Sequence, residues 1–153
     1  MENVTNVNNV RTPKVYVTHE PSLRRNNETG ELELTRDVGI ARKFGELKCI
    51  FPAGHLPANP SYAMQMAREK LYDFGSDDFL LLSGDTMAIA VSAIVASQML
   101  DENERTLKIL LWSNWFRDYH VSEVDVWEDD VWEDDVCEND VRKDDKDEPN
   151  SPL

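Results

Sequence analysis

Apolar and polar positions alternate in character along the chain in a way that marks out strands and helices in turn. Lys14 to Thr18 (KVYVT) is a β-branched and aromatic run that predicts a strand, broken at Pro21. Residues 22–31 (SLRRNNETGE) are polar and turn-forming, and predict a loop. A short helix is expected from Arg36 to Lys43, with Thr35 able to cap it and Gly45 just past its end. Glu46 to Phe51 (ELKCIF) reads as a second strand, followed by the proline-rich loop PAGHLPANP. Asn59 and Pro60 suit a helix start, since asparagine caps and proline fits the first helical position. This helix is expected to reach Phe74, with Tyr62, Met66, Leu71 and Phe74 on its apolar face and Gly75 ending it.

Asp78 to Ser83 (DFLLLS) is a continuous apolar run of strand length, the pattern of a strand covered on both faces. Gly84 turns the chain, Asp85 caps, and Thr86 to Leu100 follow as a helix. From Met87 to Ala96 every residue but Ser92 is Met, Ala, Ile or Val, so the helix is expected to be largely buried. Leu107 to Trp112 is a fourth strand, and Tyr119 to Val124 suggests a fifth, antiparallel one. Strand and helix alternate throughout. The alternation predicts an α/β fold: a small three-layer Rossmann-like domain with a mainly parallel sheet of four to five strands and helices on both faces.

The pattern changes after about residue 120. From Val121 the chain reads VSEVD, VWEDD, VWEDD, VCEND, VRKDD, with valine every fifth residue. A period of five places no apolar stripe on a helix and flips successive valines between the faces of a strand. Residues 121–153 carry 14 acidic and 3 basic residues, whereas 1–120 carry 16 and 13, so most of the net charge of −14 belongs to this segment. Residues 1–13 are expected to be a flexible arm, 14–120 the α/β domain, and 121–153 a disordered acidic tail. The negative balance disfavours duplex nucleic acid, whose affinity comes from Lys and Arg on phosphates. It favours a protein partner with a basic surface. The longest apolar stretch is about half of the ~20 residues that span a bilayer, so no membrane role is expected. Cys49 and Cys137 form no C-x-x-C and no disulfide framework, and the N-terminus has no apolar signal core. A cytoplasmic location follows.

Candidate chemistry is sparse. Ligands of open α/β sheets bind at the carboxyl ends of the strands. Those ends gather Thr18, His19, Glu20, His55, Ser83, Gly84, Asp85, Ser113 and Asn114, with Arg24 and Arg25 in the first loop. Arg24, Arg25, His55, Ser83, Gly84 and Asp85 make the candidate ligand site, for a phosphate or nucleotide held by arginines and helix amides. Against this, glycine and aspartate there also suffice as a turn and a helix cap, and no G-x-G-x-x-G or P-loop is present. A Ser83–His55–Asp85 triad lacks a nucleophile elbow, and Cys49 with His55 is too few ligands for zinc. No cofactor or metal is implied, and no catalytic residue is assigned. Trp112, Trp115, Phe116 and Arg117 interleave aromatics with a cation, as in platforms that stack single-stranded bases, or else close the core edge. Trp127 and Trp132 in the acidic repeats fit a partner-binding motif, or plain copying of a coding unit.

The segments KVYVTHEP (14–21), KFGEL (43–47), LLLSGDTMAIAVSA (80–93) and ILLW (109–112), with Tyr119, resemble a group of small proteins encoded by tailed bacteriophages. The resemblance implies a viral accessory protein made inside a bacterial host. It transfers no catalytic residue. The leading expectation is therefore a non-enzymatic interaction protein whose acidic tail engages a basic partner or mimics a polyanion. The alternatives are a phosphate- or nucleotide-binding domain, and single-strand binding regulated by the tail.

Overall fold

A computed structural model describes residues 10–126. Its elements in chain order are β1 (Lys14–His19), β2 (Leu23–Arg25), β3 (Leu32–Leu34), the 3-10 helix η1 (Val38–Lys43), β4 (Glu46–Phe51), α1 (Pro60–Lys70), β5 (Phe79–Leu81), α2 (Thr86–Met99), β6 (Thr106–Ser113) and β7 (Asp118–Asp125). The fold is mixed α/β, built on a five-stranded sheet in the order β4-β1-β5-β6-β7. β1 pairs in parallel with β4 and β5, and β5 with β6; β7 closes the far edge antiparallel to β6.

The strand order dictates where the helices go. From β4 over β1 to β5, and from β5 to β6, the chain moves the same way across the sheet. From β1 to β4 it moves the opposite way. With one crossover hand, the first two connections share a face and the third takes the other. The two core clusters agree. Tyr16, Phe51, Leu80 and Leu107 pack with Ala63, Ala67, Val91 and Val95 of α1 and α2. Val15, Val17, Leu81, Leu110 and Tyr119 pack with Ala41 of η1. Both α-helices thus lie on one face, and only η1 covers the other, where helices on both faces were expected. Val15, Tyr16, Val17 and Thr18 are all buried because β1 is covered on both sides, which is why its run is apolar without alternation.

Several local expectations need correction. The loop expected at 22–31 holds a strand, because Leu23–Arg25 pairs with Leu32–Leu34 as an antiparallel hairpin. The helix expected at 36–43 is a 3-10 helix capped by Asp37, whose carboxylate accepts from Gly39 N at 2.9 Å, and not by Thr35. In α1, Asn59 does cap, accepting from Ser61 N at 2.9 Å. The helix ends at Lys70, however, and its buried line is Ala63–Ala67–Leu71, while Tyr62 is exposed. Small residues at this four-residue spacing let α1 sit close against α2, which a tyrosine would prevent. The fifth, antiparallel strand expected at Tyr119 to Val124 is β7, but it runs to Asp125, so the first pentad, VSEVD, belongs to the sheet and not to a tail beginning at 121, and Val126 packs on the core. Pairing with β6 overrides the five-residue period there. The later repeats, with Trp127 and Trp132, lie outside the described residues.

The amino edge of the sheet is tied by one buried carboxylate. Asp78 accepts from Lys14 N and Gly75 N, each at 2.9 Å, and from Arg11 Nη2 at 2.7 Å. Three donors compensate the burial of the charge, and they hold Arg11, within the expected flexible arm, against the domain.

Candidate functional site

β1 and β5 are neighbours, but the chain leaves them toward opposite faces, β1 into the hairpin and β5 into α2. Backbone pairing between them stops at Val17–Leu81. Beyond it the side chain of Thr18 replaces the ladder: its hydroxyl donates to Ser83 O at 2.6 Å and accepts from Ser83 N at 2.8 Å, both buried. Divergence past this point opens a cleft of about 360 Å³, walled by His19, Ser22, Arg36 and the Ser83–Asp85 turn. A crevice where neighbouring strands part in opposite directions is the ligand position of open α/β sheets.

The cleft floor is already occupied by internal bonds. His19 Nδ1 accepts from Asp85 N at 3.2 Å, so its Nε2 carries the proton and donates to Gly54 O at 3.1 Å. Asp85 caps α2, its carboxylate accepting from Met87 N at 2.7 Å. Two of the amides a phosphate would use at this helix start are therefore taken by His19 and Asp85. Gly84 has φ +86°, and a Cβ there would stand 2.5 Å from both Cβ and Nδ1 of His19. Glycine is needed for the left-handed turn and for the imidazole that packs over it.

Of the six ligand-site candidates, the structure brings together Ser83, Gly84 and Asp85. His55 is exposed in the loop after β4. Arg24 and Arg25 lie on the hairpin, where Arg24 stands opposite Glu33 and Arg25 opposite Leu32. The histidine and arginine of the cleft are His19 and Arg36 instead. Arg36 Nη1 donates to Leu82 O at 3.3 Å, so the guanidinium crosses toward the end of β5. His19 was legible as a residue at the carboxyl end of the first strand, which runs one residue past the expected Thr18. Arg36 was not, because its position depends on the hairpin folding back. Cys49 is exposed on β4, and partial desolvation with the nearby Glu20 carboxylate pushes its thiol above the ordinary 9.0, away from a reactive thiolate. Among the described residues no group of three or more His, Cys, Asp and Glu could hold a metal ion. No helix among them is long and apolar enough to cross a membrane.

A second cleft, of about 410 Å³, adjoins the first across Thr35 and Arg36. Leu34 and Ile40 line one side, Trp112, Asn114 and Arg117 the other. The aromatic cluster divides here. Trp112 is half-buried, packs edge-on against Tyr119 at 5.0 Å and donates Nε1 to Asn114 Oδ1 at 2.9 Å, so it closes the core edge. Trp115 and Phe116, at the tip of the β6–β7 turn, are 88 % and 78 % exposed. Arg117 follows them at φ +50°. A non-glycine residue there costs about 1 kcal/mol. On the hairpin, Leu23, Leu32 and Leu34 share one face by register, and all three are more than half exposed. The carboxyl edge thus presents apolar side chains on both sides of one arginine-lined cleft.

The family described as phage Pam3 gp32-like protein matches residues 13–126, and the chain belongs to this family. The match covers the whole sheet, from the residue before β1 to Val126. It bears out the phage resemblance carried by the strand and turn segments. No curated protein and no solved structure matches the chain.

Proposed function

From membership of this phage family, we propose that the protein is a non-enzymatic viral accessory module that binds a protein partner through the carboxyl edge of its sheet. The observations that carry this reading are the solvent-exposed leucine face of the hairpin and the exposed Trp115–Phe116 tip of the β6–β7 turn. A two-stranded hairpin is marginal unless its apolar face is covered. Large exposed apolar side chains rimmed by arginine have the composition of interaction surfaces, with Trp and Arg as the usual anchors. The acidic repeats from residue 127 steer the protein toward a partner with a basic surface, by raising the encounter rate.

The phosphate-ligand reading is weakened by the occupied start of α2, and keeps Arg36 as its remaining support. Single-strand stacking is favoured by the exposure of Trp115 and Phe116 beside Arg117. One experiment separates the three. The full chain is melted against nucleotides, sugar phosphates and single-stranded DNA, and used to capture proteins from phage-infected cells. A ligand at 100 times its Kd adds about 2.7 kcal/mol to stability. The interaction reading expects no such gain, and a basic protein retained by wild type but lost with Trp115→Ser/Phe116→Ser. A gain with a nucleotide or with DNA overturns it in favour of the corresponding alternative.

A further inference from the structure

β4 ends the sheet on one side, and among the described residues no strand pairs with its outer edge. Glu46 N donates to Pro13 O, beside β1, and backbone groups along a strand alternate sides. The N–H and C=O of Leu47 and Cys49 therefore point away from β1. Such a row is a template for another strand unless something blocks it. No proline interrupts β4. Lysine is a common blocker, but Lys48 Nζ stands 3.2 Å from the Glu46 carboxylate, two residues away on the same face of the strand.

These two charges choose the occupant. In an antiparallel pair with its two-fold axis through Leu47, Leu47 faces Leu47 of the second copy, Glu46 faces its Lys48, and Lys48 faces its Glu46. The outward N–H and C=O of Leu47 make the central pair a hydrogen-bonded one. Both leucines fall on the face covered by η1, beside a cleft of about 460 Å³ lined by Thr12, Arg42, Gly45 and Leu47. Moving the axis to Lys48 sets Lys48 against Lys48, and like charges directly opposite destabilise a pair. The other end of the sheet excludes itself. β7 carries Asp118, Glu123 and Asp125 with no Lys or Arg, so two copies of it repel.

We infer that β4 binds β4 of a second copy of this chain, antiparallel about Leu47, and joins the two five-stranded sheets into one. A cross-strand ion pair contributes only about 0.2–1 kcal/mol, but the two-fold axis makes each pair twice. The contact leaves the carboxyl edge free. Because the two copies run antiparallel, their carboxyl edges face opposite ways, and one dimer presents two of them.

Sedimentation of the full chain over a concentration series tests the contact. The mass is expected to rise from the 17.6 kDa of one chain toward twice that value. Glu46→Lys and Lys48→Glu each set like charges opposite one another, and each is expected to raise the dissociation constant about tenfold. Mixed in equal amounts, the two variants associate as the wild type does, because opposite charges meet again. For the register, Leu47→Cys in a Cys49→Ser/Cys137→Ser chain is oxidised with copper phenanthroline. A hydrogen-bonded antiparallel pair holds its Cα atoms about 5.5 Å apart, within reach of a disulfide. A covalent dimer is expected there, and none from Val124→Cys on β7 in the same chain. The mass of one chain at every concentration overturns the inference, as does association unmoved by both charge reversals, or cross-linking at Val124 and not at Leu47. Trp115→Ser/Phe116→Ser separates it from the partner reading. Partner capture lost with the dimer intact supports the β4 contact, whereas loss of the dimer places self-association at the carboxyl edge and overturns it.

Discussion

Replacing Thr18 by valine exchanges one hydroxyl for a methyl group of nearly the same size, at the point where β1 and β5 part. No cavity is made, so the effect isolates hydrogen bonding. Thr18 is fully buried and Ser83 is 4 % exposed. Valine removes both the donor to Ser83 O and the acceptor from Ser83 N. Each orphaned buried group costs about 1–3 kcal/mol. The neighbouring cleft lets water reach part of the turn, so the lower half of the range applies and the expected loss is about 2–4 kcal/mol. Against a typical domain stability of about 5–15 kcal/mol this leaves a folded but weakened protein. Thr18→Ser keeps the hydroxyl and loses one methyl, about 1 kcal/mol. Urea unfolding followed by tryptophan fluorescence measures both variants, with an unchanged m-value marking a pure stability effect. If Thr18→Val lies within about 0.5 kcal/mol of wild type, or Thr18→Ser loses as much as Thr18→Val, then methyl packing and not the paired hydroxyl joins these strands, and the reasoning fails.

Four further outcomes follow from the same geometry. Gly84→Ala meets both a left-handed φ and the His19 ring, and is expected to lose at least about 2 kcal/mol and to shift the His19 ring resonances; an unshifted ring with wild-type stability would contradict the packing. Ser92 Oγ and Tyr119 Oη are buried with no hydrogen-bond partner among the described residues, so Ser92→Ala and Tyr119→Phe should each be neutral or stabilise by up to about 1 kcal/mol; a loss of about 1 kcal/mol in either means a missed partner. Arg117→Gly relieves the left-handed backbone and should stabilise by about 0.5–1 kcal/mol while weakening capture of the partner, a trade that a purely structural arginine would not show. Asp73 and Asp118 are held below the ordinary 3.8, first by hydrogen bonds from Lys14 and Lys43. For depressed carboxyls the stabilisation is present above the unfolded value and disappears as pH falls through the folded one. Urea midpoints should therefore drop on acidification below about pH 4, and Lys14→Met and Lys43→Met should each flatten that drop; slopes unchanged in both would show that these pairs do not contribute.

The α/β class, the parallel core strands and the caps at Asn59 and Asp85 were legible along the chain, because each is a local matter. A strand covered on both faces must be apolar throughout, as VYVT and FLLL are. A cap needs only a short polar side chain before a helical run. The Ser83–Gly84–Asp85 turn was legible for the same reason. The hairpin was not: LRR and LEL are too short to alternate visibly, and the faint signal was a pair of leucine-bearing triplets flanking NNETG. Arg36 in the cleft depended on that hairpin and could not be anticipated without it. The same holds for His19 displacing His55, since both end or follow a strand and only the close approach of Gly84 selects one.

Local chemistry fixes what each segment becomes; long-range pairing fixes which faces are left over. The five-residue period argued against a regular element from Val121 on, although Tyr119 to Val124 also suggested an antiparallel fifth strand; the strand prevails and runs to Asp125, because β6 offered an unpaired edge and eight paired residues outweigh a poor pattern. Likewise Trp112 and Trp115 are indistinguishable as letters. The turn between β6 and β7 folds one onto Tyr119 and sends the other into solvent, where its apolar surface is available to a partner.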